Sequence, residues 1–94
     1  MISASEAKNA GLVAEVVSDA DALSRAVDLA ELIAGKSPIA ARLAKQAVLA
    51  SRDVSLESGL ALERKLWSAL FGTLDAREGM AAFLEKRKPR FEGR

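Results

Sequence analysis

The sequence contains no cysteine and no histidine among its 94 residues. These absences exclude disulfide bonds, thiolate nucleophiles, imidazole acid–base catalysis and metal sites of the Cys/His type. The six glycines are never spaced as in a dinucleotide or nucleotide phosphate loop. We therefore predict no catalytic residue, no metal site and no resident cofactor in this chain.

A strong net charge and long apolar runs are also missing. Fourteen basic residues face thirteen acidic ones, a balance that does not indicate a nucleic-acid or membrane partner. Apolar runs such as Ala47–Ala50 are far shorter than the ~20 residues of a membrane-spanning helix. The residues after Met1 do not resemble a secretory signal. We expect a soluble chain in the cytoplasm, or in the mitochondrial matrix if the source is eukaryotic.

Alanine content and apolar spacing predict a mostly α-helical chain with about five helices. Ser3 and Glu6 form a capping box before a short helix, Ala4–Asn9, which Gly11 is expected to end. Leu12–Val17 is rich in valine and too short for a stable helix. We predict it to be an extended segment, either an edge strand or a strap to another part of the parent protein.

Two longer helices are predicted in the middle of the chain. The first is capped by Asp19 or Asp21 and ends at Gly35, with apolar residues at helical spacing between them. The next begins at Ser37–Pro38, an N-cap followed by proline at the first helical position, and runs to about Ser51.

The last two helices are predicted from Ser55 onward. The fourth carries two apolar stripes that a single partner cannot cover. They are Leu56, Leu60, Trp67 and Phe71, and Leu62, Leu66 and Leu70. Asp75 and Glu78 have capping-box spacing for a fifth helix, which Pro89 is predicted to end after a cationic turn.

Several local patterns have both a functional and a structural interpretation. Trp67 and Phe71 form a stacking platform for a flat ligand or, as we favour, a packing pair. The basic run Lys86–Arg94 is a phosphate-binding site or a solvated tail. For the Ser5/Lys8 pair, and for carboxylate pairs such as Asp75 with Glu78, we favour surface or capping roles over catalysis.

The stretch Asp75–Arg94 resembles the C-terminal signature of the enoyl-CoA hydratase/isomerase (crotonase) family, with its Glu-Gly pair, a phenylalanine and Lys-Arg-x-Pro-x-Phe. Similar segments occur upstream in the same order, at Ile2–Ala7, Lys36–Ala40, Ala44–Val48 and Gly59–Glu63. The resemblance covers essentially the whole chain. It implies the C-terminal helical (trimerisation) domain of the crotonase fold, without the ββα spiral core that carries the oxyanion hole and catalytic glutamates.

The resemblance also implies a division of roles along the chain. Residues 1–17 are expected to be a linker helix and extended segment following the missing catalytic core, and residues 18–94 a helical oligomerisation and CoA-covering domain. Phe83 and Lys86 match positions that contact the CoA adenine and phosphates, and Trp67, Leu70 and Phe71 are less specific candidates for covering the acyl pocket.

Acyl-CoA is accordingly the expected substrate, and self-association as a trimer or a dimer of trimers is expected of the parent enzyme. The parent is expected to hydrate 2-enoyl-CoA, whereas this chain by itself is predicted to be inactive. The alternative is a free-standing helical protein-interaction module without an enzymatic role. A basic-tailed nucleic-acid binder is the least favoured interpretation, since the chain is nearly neutral and has few aromatic residues.

Overall fold

The computed structural model describes all residues, Met1–Arg94. It contains five α-helices and no β-strand. The helices are α1 (Ala4–Asn9), α2 (Ala22–Ala34), α3 (Pro38–Ala50), α4 (Leu56–Phe71) and α5 (Leu74–Leu84). The predicted number of helices is confirmed. No helix is long and apolar enough to span a membrane.

The chain divides into two compact units, Met1–Glu31 and Leu32–Arg94. In the first unit, the capping box predicted for α1 is present, because the Ser3 Oγ accepts the Glu6 N–H at 3.2 Å and a Glu6 carboxylate oxygen accepts the Ser3 N–H at 2.7 Å. The hydrogen bond from the Ser3 backbone N–H, followed by one from the Ser3 side chain, lowers the pKa of the Glu6 carboxyl. Gly11 follows the helix with a φ of 73°, the left-handed conformation that glycine adopts without steric cost.

The segment between α1 and α2 is irregular and forms no strand. Of its two predicted forms, an edge strand is not observed. Asp21 directly precedes α2, but its carboxylate accepts the Ser18 hydroxyl at 2.6 Å. A separate ion pair joins Glu15 to Arg25, whose Nε donates to both Glu15 carboxylate oxygens at 3.0 Å. The predicted division of roles at residue 17 stays a prediction.

In the second unit, α3 and α4 begin as predicted. The Ser37 Oγ accepts the Ala40 N–H at 3.4 Å, and the Ser55 Oγ accepts the Ser58 N–H at 3.2 Å. The two helices pack against each other, and Leu66 shares a groove with residues of α3. The two stripes of α4 differ in burial. Leu62, Leu66 and Leu70 are half-buried, whereas Leu56, Leu60, Trp67 and Phe71 are exposed.

The predicted capping box of α5 is wrong. Thr73 is the N-cap and accepts the Ala76 N–H at 3.1 Å, while Asp75 lies inside the first turn and bonds elsewhere. The predicted end is also wrong, because the helix stops at Leu84, well before Pro89. The chain leaves the helix through a left-handed residue, so no proline is needed to end it.

The apolar core of the chain is very small. Half of the residues are apolar, yet Ala82 is the only one of them that is buried. The other two buried residues, Ser37 and Asp75, are polar and bond to each other at 2.7 Å. Most large apolar side chains therefore remain available for contacts outside the chain.

Candidate functional site: the reversed tail on helix α5

The chain reverses direction directly after α5. The Lys86 N–H donates to the Phe83 carbonyl at 3.3 Å, and the Arg87 N–H donates to the Ala82 carbonyl at 3.0 Å. This pair of bonds is the Schellman motif, which requires a left-handed residue between the helix and the outgoing chain. Lys86 occupies that position with a φ of 53°. Glycine is usual there, since a Cβ in this conformation costs roughly 1–2 kcal/mol.

Glu78 binds the outgoing tail at two points. Its two carboxylate oxygens accept hydrogen bonds from the two terminal nitrogens of Arg87, at 2.6 and 2.9 Å. One of these oxygens also accepts a hydrogen bond from the Arg90 backbone N–H at 2.7 Å. Glu85 contacts the Nε of Arg87 at 2.5 Å. The Arg87 side chain, followed by the Arg90 N–H, lowers the pKa of Glu78 to about 2. Glu78 in turn, together with Glu85, raises the pKa of Arg87.

Asp75 holds the tail nearer its C-terminal end, at Glu92 and Gly93. Asp75 itself is only 3 % exposed. Its carboxylate accepts the Ser37 hydroxyl at 2.7 Å, the Glu92 N–H at 2.8 Å and the Gly93 N–H at 3.1 Å. The Asp75 N–H donates to the Arg94 carbonyl at 2.9 Å. Burial raises the pKa of Asp75, but the hydrogen bonds outweigh it and the pKa lies below its ordinary value. Asp75 thus joins the start of α3, the start of α5 and the tail.

Gly93 is suited to this contact by its backbone conformation. Its φ of 76° lies in the left-handed region, which directs its N–H toward both oxygens of Asp75. Phe91 lies two residues earlier, with its ring against Gly79 of α5. The tail is therefore packed along α5 and is not a free solvated extension.

A pocket of about 240 Å³ opens between α3, α4, α5 and the tail. Its wall is largely apolar. Its lining residues are Ser37, Ala40, Trp67, Leu70, Phe71, Thr73, Asp75, Ala76, Gly79 and Phe91. Trp67 and Phe71 stand at this pocket in an edge-to-face pair, with ring centroids 5.6 Å apart. They are 63 % and 55 % exposed, so within this chain they are surface residues and not core.

The two residues predicted to contact CoA lie at the C-terminal end of α5. Phe83 is in the last turn of the helix and 83 % exposed, and Lys86 is exposed in the turn that follows. Their role stays a prediction. Arg90 does not lie on the same helix as Phe83, because α5 ends at Leu84 and Arg90 lies on the returning tail.

Sequence reasoning missed the two carboxylate anchors. Asp75 and Ser37 are 38 residues apart, and no local pattern joins them. The sequence does show acidic residues, including Glu78, before a basic run, which could have indicated an ion pair. Its partner Arg87, however, is nine residues away. That separation brings two side chains together only if the chain reverses.

The Glu78 anchor makes the stability of the chain depend on pH. Because folding lowers the pKa of Glu78 from 4.5 to about 2, its contribution is complete above pH 4.5 and is lost as the pH falls toward about 2. We expect the melting temperature of the unsubstituted chain to exceed that of Glu78→Gln at pH 6. The difference should shrink toward zero near pH 2, which thermal unfolding at a series of pH values measures. A difference independent of pH would show that the carboxylate charge does not matter.

The structure defines the chain as an all-helical domain with a reversed tail bound to its last helix. The enoyl-CoA hydratase/isomerase family model matches residues 1–94. The chain therefore belongs to the enoyl-CoA hydratase/isomerase family, and its helices have the fold of the C-terminal helical domain of that family.

Individual relatives agree with this assignment. The chain is 46 % identical over 93 residues to the 2,3-dehydroadipyl-CoA hydratase of Escherichia coli K12, covering 99 % of this chain and 36 % of the relative. It is 47 % identical over 94 residues to a probable enoyl-CoA hydratase of Rhizobium meliloti, covering 100 % and 37 %. The solved enoyl-CoA hydratase of Bacillus anthracis is 43 % identical, with a TM-score of 0.92 and coverage of 99 % and 36 %. The chain thus spans little more than a third of the length of these relatives.

Proposed function

We propose that this chain is the C-terminal helical part of an enoyl-CoA hydratase-like lyase that hydrates 2-enoyl-CoA thioesters. Its helices contribute to oligomerisation and its α5 end contributes contacts to CoA. The observation that carries this proposal is the exposure of large apolar side chains around a core that contains only Ala82. The names of the relatives, which include hydratases of CoA thioesters, support the substrate class.

The exposed stripe of α4 supports the oligomerisation role. Leu56, Leu60, Trp67 and Phe71 are between 46 % and 79 % exposed and recur along one helix. Exposed apolar patches of this kind mark surfaces that other protein covers. Helices of a second and third copy are the proposed cover, in a trimer or a dimer of trimers.

Asp75 and Glu78 are suited to holding structure and not to catalysis. A general base works best when its pKa lies near the operating pH. The pKa values of Asp75 and Glu78 are both lowered, and both carboxylates are engaged by the tail. This supports a contribution of the chain to binding and assembly, with acyl-CoA as substrate and the chemical step performed by other residues of the parent enzyme.

The geometry at the end of α5 supports the CoA contacts. Lys86 has a strained left-handed conformation at a position where glycine would be more stable. The turn alone does not call for a lysine there, which supports a functional role for the lysine side chain. An exposed ammonium binds phosphate as a point charge. Phe83, exposed one turn earlier, provides an apolar ring for packing against a base.

Two substitutions of Lys86 separate its charge from its backbone role. We expect Lys86→Ala and Lys86→Gly each to weaken CoA binding about fivefold at low salt, since an exposed ion pair contributes about 1 kcal/mol. Lys86→Gly should in addition raise the melting temperature by about 4 °C, because it removes the left-handed strain. CoA titration followed by NMR, together with thermal unfolding, measures both effects.

Lys88→Ala is the matched control, because Lys88 is also an exposed lysine of the tail. It should change CoA affinity less than twofold, within the range of a charge that does not contact the ligand. Equal losses for Lys86 and Lys88 would mean that only the general positive potential of the tail attracts CoA. Unchanged affinity in both Lys86 variants would contradict the proposed contact.

A further inference from the structure

The left-handed turn at Lys86 is held in place by contacts of the residues that follow it. Lys86 lies between the C-cap residue Glu85 and Arg87, and Arg87 is the first residue of the returning tail that another part of the chain grips. The gripping group is Glu78, which binds the Arg87 guanidinium through two parallel hydrogen bonds. Such bidentate pairs fix geometry more narrowly than a single ion pair.

A third hydrogen bond of Glu78 adds to this contact. One of its oxygens also accepts the Arg90 N–H, so a single carboxylate holds the tail on both sides of Lys88 and Pro89. A straight continuation of α5 would carry residues 87 and 90 away from Glu78. Only a chain that reverses at Lys86 satisfies these bonds, and Glu78 therefore favours the strained backbone conformation of Lys86.

We propose that Glu78 is a positioning residue for CoA binding, which acts through Arg87 to hold Lys86 in the left-handed turn. This inference rests on the proposed function, since it assumes that Lys86 contacts a phosphate of CoA. Without the hydrogen bonds of Glu78, the residues around Lys86 sample both the reversed backbone and one that does not turn back along α5. Only the reversed form presents the ammonium in the binding geometry, so the apparent affinity falls with its population.

The test combines NMR of the 94-residue chain with CoA titration. In Glu78→Gln we expect the amide and Cα chemical shifts of Lys86, which report its backbone conformation, to move toward unstructured values. If the reversed form falls to about a third of the population, the Kd for CoA rises about threefold. Arg87→Gln, which breaks the same grip from the other side, should reproduce both changes. Glu57→Gln, an exposed carboxylate in the first turn of α4, should produce neither.

A double-mutant cycle decides whether Glu78 acts through Lys86. In the Lys86→Ala background, Glu78→Gln should leave the Kd for CoA unchanged, because the side chain that it positions is gone. Additive losses, or Lys86 chemical shifts that do not move in either Glu78→Gln or Arg87→Gln, would overturn the inference. An unsubstituted chain that does not bind CoA, or a Lys86→Ala chain that binds normally, would instead contradict the proposed function, and the Lys86 chemical shifts would still decide whether Glu78 holds the turn.

Discussion

Replacing Asp75 with alanine is expected to lower the melting temperature of the chain by about 10 °C, since it leaves one buried and two partly buried hydrogen-bond donors without an acceptor. The substitution removes the acceptor of the Ser37 hydroxyl and of the Glu92 and Gly93 N–H groups at once. It also breaks the buried hydrogen bond that joins the start of α3 to the start of α5. Asp75→Asn should be less damaging, because its amide oxygen can still accept the Glu92 and Gly93 N–H groups and its NH₂ can donate to the Ser37 hydroxyl oxygen.

The effect of Asp75 should be both local and charge-specific. Asp53→Ala is the matched control, since Asp53 is an exposed aspartate between α3 and α4 and should change the melting temperature by less than about 3 °C. In Asp75→Ala, limited trypsin digestion after Arg90 should accelerate as the tail leaves α5. Unchanged digestion and an unchanged melting temperature would show that the tail is held without this carboxylate.

The chain is expected to self-associate, and Trp67→Lys is expected to weaken that association by at least about tenfold, as large aromatic residues dominate interface energetics. Trp67 is 63 % exposed, so a lysine there should disturb the folded chain little. In an interface it would bury an unpaired charge and remove the edge-to-face pair with Phe71. Light scattering over a range of concentrations measures the change.

Lys65→Ala provides the control on the same helix. Lys65 lies two residues before Trp67 and hence on a different face of α4, away from the exposed apolar stripe. Its replacement should leave the association constant within about twofold. An unsubstituted chain that stays monomeric at high micromolar concentration would contradict the oligomerisation role.

The starts of three helices were predictable because their capping groups lie next to the helix in sequence. Ser3 with Glu6, Ser37 with Pro38, and Ser55 all cap the helices that they were predicted to cap. Each of these caps is a hydrogen bond to a backbone N–H within three residues, so the sequence contains both partners. The Asp75 prediction failed because Thr73 offered an equally good local cap and a distant segment competed for the carboxylate.

The candidate site divides in the same way. The family signature indicated Phe83 and Lys86, and the structure places both at the exposed end of α5. Neither the left-handed Lys86 nor its hold by Glu78 followed from the sequence, since lysine is not a residue that signals this conformation. The sequence showed that Lys86–Arg94 is basic, but not that this segment turns back along α5.

By itself the sequence determined the helical content, most helix starts and the two apolar stripes of α4, because propensity, capping and periodicity depend on residues within about two turns of one another. Only the tertiary structure decided which stripe is half-buried, where α5 ends, and that the tail returns to Asp75 and Glu78. Those outcomes depend on groups up to 38 residues apart competing for the same donors and acceptors. Such competition is settled by the three-dimensional path of the chain, which no local pattern encodes.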